Sequence, residues 1–99
     1  GEKKVESIFL KDVKSQKVQN FKTDGVFIFI GHDPNTHFVK DFVQLDEKGY
    51  VVTDASLETS VPGVFAAGEI RSGAVKQLVS ACGEGCEAAL AAQSYLEDL

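Results

Sequence analysis

No stretch of the chain approaches the roughly 18 consecutive apolar residues that a membrane-spanning helix needs. A charged-then-apolar leader with a small-residue cleavage site is also missing, so neither a helical anchor nor a signal peptide is expected from these residues. Clustered positive charge is absent too. Acids outnumber bases, the formal net charge is −5, and Lys3, Lys4, Lys11, Lys14, Lys17 and Lys22 are interrupted by Glu and Asp. Nucleic acid and membrane both call for concentrated Lys and Arg, so neither is expected as a partner, and the lysines read as a solvated face.

Cysteine is scarce, with Cys82 and Cys86 in the order C-G-E-G-C. A dithiol redox centre prefers C-x-x-C at a helix start, where the first thiolate is stabilised. Here the spacing is four and the position is mid-helix. Side chains at i and i+4 have Cβ atoms about 5–6 Å apart, beyond the ~3.5–4.5 Å that a disulfide wants. Two small buried thiols in a reducing compartment are the expectation. No G-x-G-x-x-G dinucleotide fingerprint occurs either. Metal ligands are not expected: no His pattern accompanies the sulfurs, and Asp41, Asp46 and Glu47 lack the register of a calcium loop. His32 and His37 have no Ser, Cys or paired acid at catalytic spacing, and read as solvent or backbone partners.

What is present suffices for one small α/β unit. The 99 residues are 43 % hydrophobic and 25 % charged, both ordinary for a globular chain. The chain opens at Gly1 without methionine and turns almost at once strand-like, which points to a piece of a longer protein. Val5 to Leu10 and Lys17 to Lys22 alternate, and the polar turn between them predicts an antiparallel hairpin. Val26 to Ile30 is a continuous apolar run, the pattern of a strand buried on both faces. Gly31 to Thr36 (GHDPNT) then breaks the chain and is the expected hinge.

Phe38, Phe42 and Leu45 have helical spacing in a short, ambiguous segment. Tyr50 to Asp54 and Val64 to Ala67 read as short strands, the second buried, and Asp54 and Glu58 as loop and capping acids. From about Val75 to Leu99 the pattern is helical, with Leu78, Cys82, Gly85, Ala89, Ala92, Leu96 and Leu99 marking one face.

The crowded stretch is Thr59 to Gln77. A strand ending in small residues leaves room for a flat or extended ligand at its carboxyl end, where open α/β sheets bind ligands. Glu69 follows Gly68 at once and can accept hydrogen bonds from hydroxyls. The helix beginning near Lys76-Gln77 offers free N–H groups and a positive dipole end, suited to a ring that gains negative charge. By itself this arrangement is common, since an acid after a strand is often an ordinary cap.

Three blocks taken together are more specific: "DGVFIFIGHDPNT", "GYVVTDASLETSVPGVFAAGEIR" and "KQLVSACGEGCEAALAAQSYL". In this order and spacing they resemble the carboxyl-terminal third of a bacterial-type, low-molecular-weight thioredoxin reductase. The resemblance implies a partial two-domain FAD/NAD(P)-binding fold of α/β class. Residues 1–30 would close the NADPH-binding domain, 31–36 would be the interdomain hinge, and 37–99 would complete the FAD-binding domain.

It also implies a cytoplasmic homodimer passing electrons from NADPH through FAD to a dithiol and on to thioredoxin. Gly68 and Glu69 match the family's Gly-Asp pair at the FAD ribityl-phosphate region. Glu69 departs from the usual Asp by one methylene. Lys76, Gln77 and Leu78 match an Arg-Gln-hydrophobic segment at the ring's pyrimidine edge. Lys76 keeps the charge of Arg without its bidentate fork. Cys82 and Cys86 fall in a helix turn and do not match the redox pair. In the family the dithiol and the dinucleotide fingerprint lie upstream, so this segment alone is expected to be inactive.

Two alternatives stand beside this reading. One is a related flavin reductase, such as the flavoprotein subunit of alkyl hydroperoxide reductase or a ferredoxin-dependent relative. The other is a stand-alone module, without catalytic residues, that oligomerises or binds a partner through an apolar face.

Overall fold

Strand-forming residues near the start of the chain pair with one another. β1 (Ser7–Lys11) and β2 (Val18–Lys22) run antiparallel with Ile8 opposite Phe21 and Lys11 opposite Val18. The turn between them is organised by Asp12, whose Oδ1 accepts the N–H groups of Lys14 at 3.0 Å and Ser15 at 2.6 Å. Those bonds, led by the one from Ser15, hold the Asp12 carboxyl below its ordinary range. Gln16 takes the left-handed conformation, φ 59°, that returns the chain into β2. The expected hairpin is present.

The computed structural model describes all 99 residues, divided into two compact units, Gly1–Gly31 and His32–Leu99. In the first unit the expectation for Val26 to Ile30 is overturned. These residues form no strand, and Phe27, Ile28, Phe29 and Ile30 are between 73 % and 89 % exposed. An interior strand needs a hydrogen-bonding neighbour at each edge and cover on both faces, and the only sheet here is the two-stranded hairpin. Phe27 and Phe29 instead stack on each other, ring centroids 5.9 Å apart.

The second unit is a set of short loops closed by side chains, followed by one long helix. Its buried residues are Thr36, Val43, Tyr50, Val51, Leu57 and Gly68. Thr36 sits inside because its Oγ1 donates to the carbonyl of Gly49 at 2.7 Å, which removes the cost of burying a lone hydroxyl. Around Val39 the chain makes a single turn that buries Val43, while Phe38 and Phe42 stay exposed. The two expected short strands reduce to isolated pairings: Val51 with Leu45 and Arg71, Thr53 with Thr59, and Phe65 with Glu58. Val64 to Ala67 is also less buried than expected, Val64 being exposed and Phe65 to Ala67 half-buried. Asp54 acts as the expected loop acid, its Oδ1 accepting from Ser56 N–H, Ser56 Oγ and Glu58 N–H.

The helix, α1 (Leu78–Glu97), begins three residues later than its pattern predicts. Its orientation is a second correction. Ala81, Glu84, Ala88, Ala91, Ala92 and Tyr95 are half-buried, whereas Leu78, Cys82, Gly85, Ala89 and Leu96 are exposed, as is Leu99 beyond its end. The helix is alanine-rich all round, and it is the small side chains that let loop backbone approach. At Gly68, for example, an added Cβ would meet the Ala81 Cβ at 3.3 Å. Cys82 and Cys86 lie on the outward side and are free, so the expected buried thiols are accessible ones.

Tyr95 closes the far end of this packing, its ring edge-on to Phe65 with centroids 6.3 Å apart. Gly63, at φ +78°, lies under the same ring, where a Cβ would fall 2.8 Å from Tyr95 Cε1. Gly63→Ala therefore combines a left-handed penalty with a steric clash, and is expected to destabilise the fold by about 1–3 kcal/mol, read by denaturant unfolding. Gly73→Ala has the same sign of φ and no neighbour within 4 Å; it should cost distinctly less.

Candidate functional site

The segment leading into α1 is held from two sides. On one side Val51 donates to the Ile70 carbonyl at 2.9 Å and accepts from Ser72 N–H at 2.8 Å, a one-residue parallel pairing. Ser72 Oγ adds a 2.6 Å bond to Asp46 Oδ2. Asp46 Oδ1 also receives the N–H groups of Lys48 and Tyr50, both at 2.9 Å. With Ser72 the leading cause and Tyr50 N–H next, the Asp46 carboxyl is held below its usual range. Asp46 thus ties one loop to the approach to α1.

On the other side stands Glu84, on the second turn of α1. Gly68, Glu69, Ile70 and Arg71 form a tight turn closed by Arg71 N–H to the Gly68 carbonyl at 3.1 Å. Glu84 grips both ends. Its Oε2 accepts Gly68 N–H at 2.7 Å and Arg71 Nε at 3.0 Å, and its Oε1 accepts Arg71 Nη2 at 2.7 Å. Arg71 Nη1 completes its fork with a 2.6 Å bond to Thr53 Oγ1. The paired side chains are 16 % and 17 % exposed, so water screens them only in part. The pairing lowers the Glu84 carboxyl and raises Arg71, with the hydrogen bonds between them the leading cause for both.

The residues expected at the site are placed as follows. Gly68 is buried at φ +82°, a conformation that favours glycine, and rests against Ala81 in the first turn of α1. Glu69 is exposed, and its carboxylate takes no part in the clasp beneath it. Gln77 is the N-cap, with extended backbone and no capping bond from its side chain, and no acid lies in the first turn. The opening N–H groups of α1 are therefore free to meet a negatively polarised group. Leu78, the first helical residue, is 80 % exposed. Lys76 is turned toward Tyr50: its Nζ hydrogen-bonds the Tyr50 hydroxyl and lies 4.6 Å from the ring centroid. That hydroxyl donates in turn to the His32 carbonyl at 3.2 Å.

Gly68 and the helix start are brought together, while Lys76 is engaged elsewhere. Four contributors lay outside the sequence expectations: Arg71, Glu84, Thr53 and Tyr50. An Arg thirteen residues before a Glu is no recognisable motif. Glu84 stands between Gly83 and Gly85, but a Cβ at either glycine would meet nothing within 4 Å, so the flanking glycines do not mark the contact.

Loss of the clasp should be costly. Glu84→Ala leaves Gly68 N–H and the Arg71 fork unpaired, and is expected to lower stability by about 2–3 kcal/mol in denaturant unfolding. Because the folded pKa of Glu84 lies below its ordinary value of 4.5, its contribution is present above that value and is lost as pH falls through the folded pKa. The stability difference between wild type and Glu84→Gln should therefore shrink as pH is lowered below about 4.5.

Known proteins resemble this chain along nearly its whole length. Residues 1–85 match the family model described as pyridine nucleotide-disulphide oxidoreductase. A thioredoxin reductase of Coxiella burnetii is 44 % identical over 100 residues, which cover 96 % of this chain and 31 % of the relative. A solved thioredoxin reductase of Streptococcus pyogenes superposes with a TM-score of 0.76 at 35 % identity, over 100 % of this chain and 32 % of that one. That of T. acidophilum gives 0.69 at 48 % identity, over 95 % and 31 %. The chain thus spans about a third of the length of these relatives. In fold and sequence alike it is a thioredoxin reductase-like segment, and it belongs to the pyridine nucleotide-disulphide oxidoreductase family.

Proposed function

We propose that this segment forms one wall of an FAD pocket in a cytoplasmic thioredoxin reductase that passes electrons from NADPH through FAD to a dithiol and then to thioredoxin. In this reading residues 1–30 complete the NADPH-binding domain, 31–36 link the domains and 37–99 complete the FAD-binding domain. The observation that carries it is the uncapped start of α1 with the buried Gly68 turn packed against its first turn.

The residues present suit the cofactor. Gly68 lets the turn lie against Ala81 at the helix start, and Glu69, next in the chain, offers an exposed carboxylate to ribityl hydroxyls. Gln77 and Leu78 stand at the helix start, where free N–H groups favour negative charge on the ring edge. Lys76 would add positive charge there on leaving the Tyr50 hydroxyl that holds it in this structure. When bound, the flavin would supply the two-electron relay between nicotinamide and disulfide. The residues of this chain bind and orient it, and the dithiol and dinucleotide fingerprint come from elsewhere in the whole protein.

A second reading rests on the exposed apolar side of α1 and on Phe27 to Ile30: the segment would act as an oligomerising module without flavin. Purification of the complete protein separates the two. The reductase reading expects a yellow homodimer that oxidises NADPH, and Glu69→Ala is expected to weaken FAD binding by about tenfold, the loss of about one charge-assisted hydrogen bond. A colourless oligomer that takes up no FAD would sink it.

A further inference from the structure

We infer that Glu84 is a positioning residue for the cofactor: by accepting the Gly68 N–H it sets the turn that carries Glu69, and does so through its reach, independently of its charge. The inference rests on the flavin-pocket reading and goes beyond it, because Glu84 is not itself among the expected ligand contacts and acts through one of them, Gly68.

The geometry separates two jobs of one side chain. Glu84 Oε1 serves Arg71 Nη2 alone, whereas Oε2 is shared between Arg71 Nε and the Gly68 N–H. The first arrangement is an ion pair between helix and loop. The second fixes a backbone amide immediately before Glu69. Gly68 is buried and held at φ +82° with Ala81 against it. Its N–H has no water to turn to if the acceptor withdraws, and the freedom of glycine would let the turn rotate.

Downstream the turn is well anchored, through Arg71 N–H to the Gly68 carbonyl and through Ile70 and Ser72 to Val51. Upstream, the bond to Glu84 is what holds the Gly68 amide. Glu69 sits between these two ends and is exposed. The direction of its carboxylate therefore depends on whether Gly68 N–H is held. A shift of about 1 Å in a positioned polar group is enough to lose its interaction.

Reach and charge can be separated by two conservative variants. Glu84→Gln keeps the length and one acceptor oxygen for Gly68 N–H but abolishes the ion pair. Glu84→Asp keeps the charge within range of the long Arg71 fork but withdraws the acceptor from Gly68. Both are made in the complete flavoprotein. FAD is stripped, its dissociation constant is measured by reconstitution, and thermal unfolding of the stripped protein is followed in parallel.

The expected result is that Glu84→Asp raises the FAD dissociation constant by about tenfold while Glu84→Gln stays within about threefold of wild type. Glu84→Gln should nevertheless unfold at a lower temperature, having lost the ion pair. If Glu84→Gln loses FAD at least as strongly as Glu84→Asp, or if neither loses it, the positioning role is overturned. A wild-type protein that takes up no FAD would instead remove the pocket reading itself, and this inference with it.

Discussion

The carboxylate of Glu84 joins the only long element of the second unit to the loop that precedes it, and most of the local order can be traced through that joint. A helix of 20 residues with no fully buried residue has little hydrophobic surface to hold it in place. Its contact with the Gly68–Arg71 turn combines a half-buried bidentate ion pair, a backbone amide and a close approach of Gly68 to Ala81. Val51 then carries the turn into the few buried residues of the unit. Polar groups here do a job that larger apolar side chains perform in a thicker core. In a half-buried setting their directionality matters as much as their energy, because each acceptor fixes one donor at one place.

The same sparseness gives the outward surfaces their meaning. Leu78, Val79, Leu90 and Leu96 on α1, and Phe27 to Ile30 after the hairpin, are large apolar side chains with little cover in this chain. Large apolar side chains exposed in this way are typical of surfaces that meet another surface. The chain spans about a third of the length of its relatives.

The hairpin and the helix were legible in the sequence because both are local patterns: alternation on either side of a polar turn, and a long run of helix-favouring residues free of proline. Asp54 was legible for the same reason, since its partners lie within four residues. Gly68, Glu69, Gln77 and Leu78 stand out in the sequence only as near neighbours along the chain. The inward face of α1 was misread, because hydropathy ranks leucine above alanine while the packing here depends on closeness. The strand at Val26 to Ile30 was misread because its composition records a need for burial that the other residues of this chain do not meet.

By itself, the sequence determined which segments could be strand, turn and helix, and which family the chain resembles. These follow from short-range backbone preference and from the order of motifs. Only the tertiary structure decided which face of α1 packs inward, that Lys76 turns to Tyr50, and that Arg71 and Glu84 meet across thirteen residues to hold Gly68. The physical reason is that such choices depend on distance in space. A carboxylate selects the donors the folded chain brings within about 3 Å, and nothing in their separation along the sequence announces them.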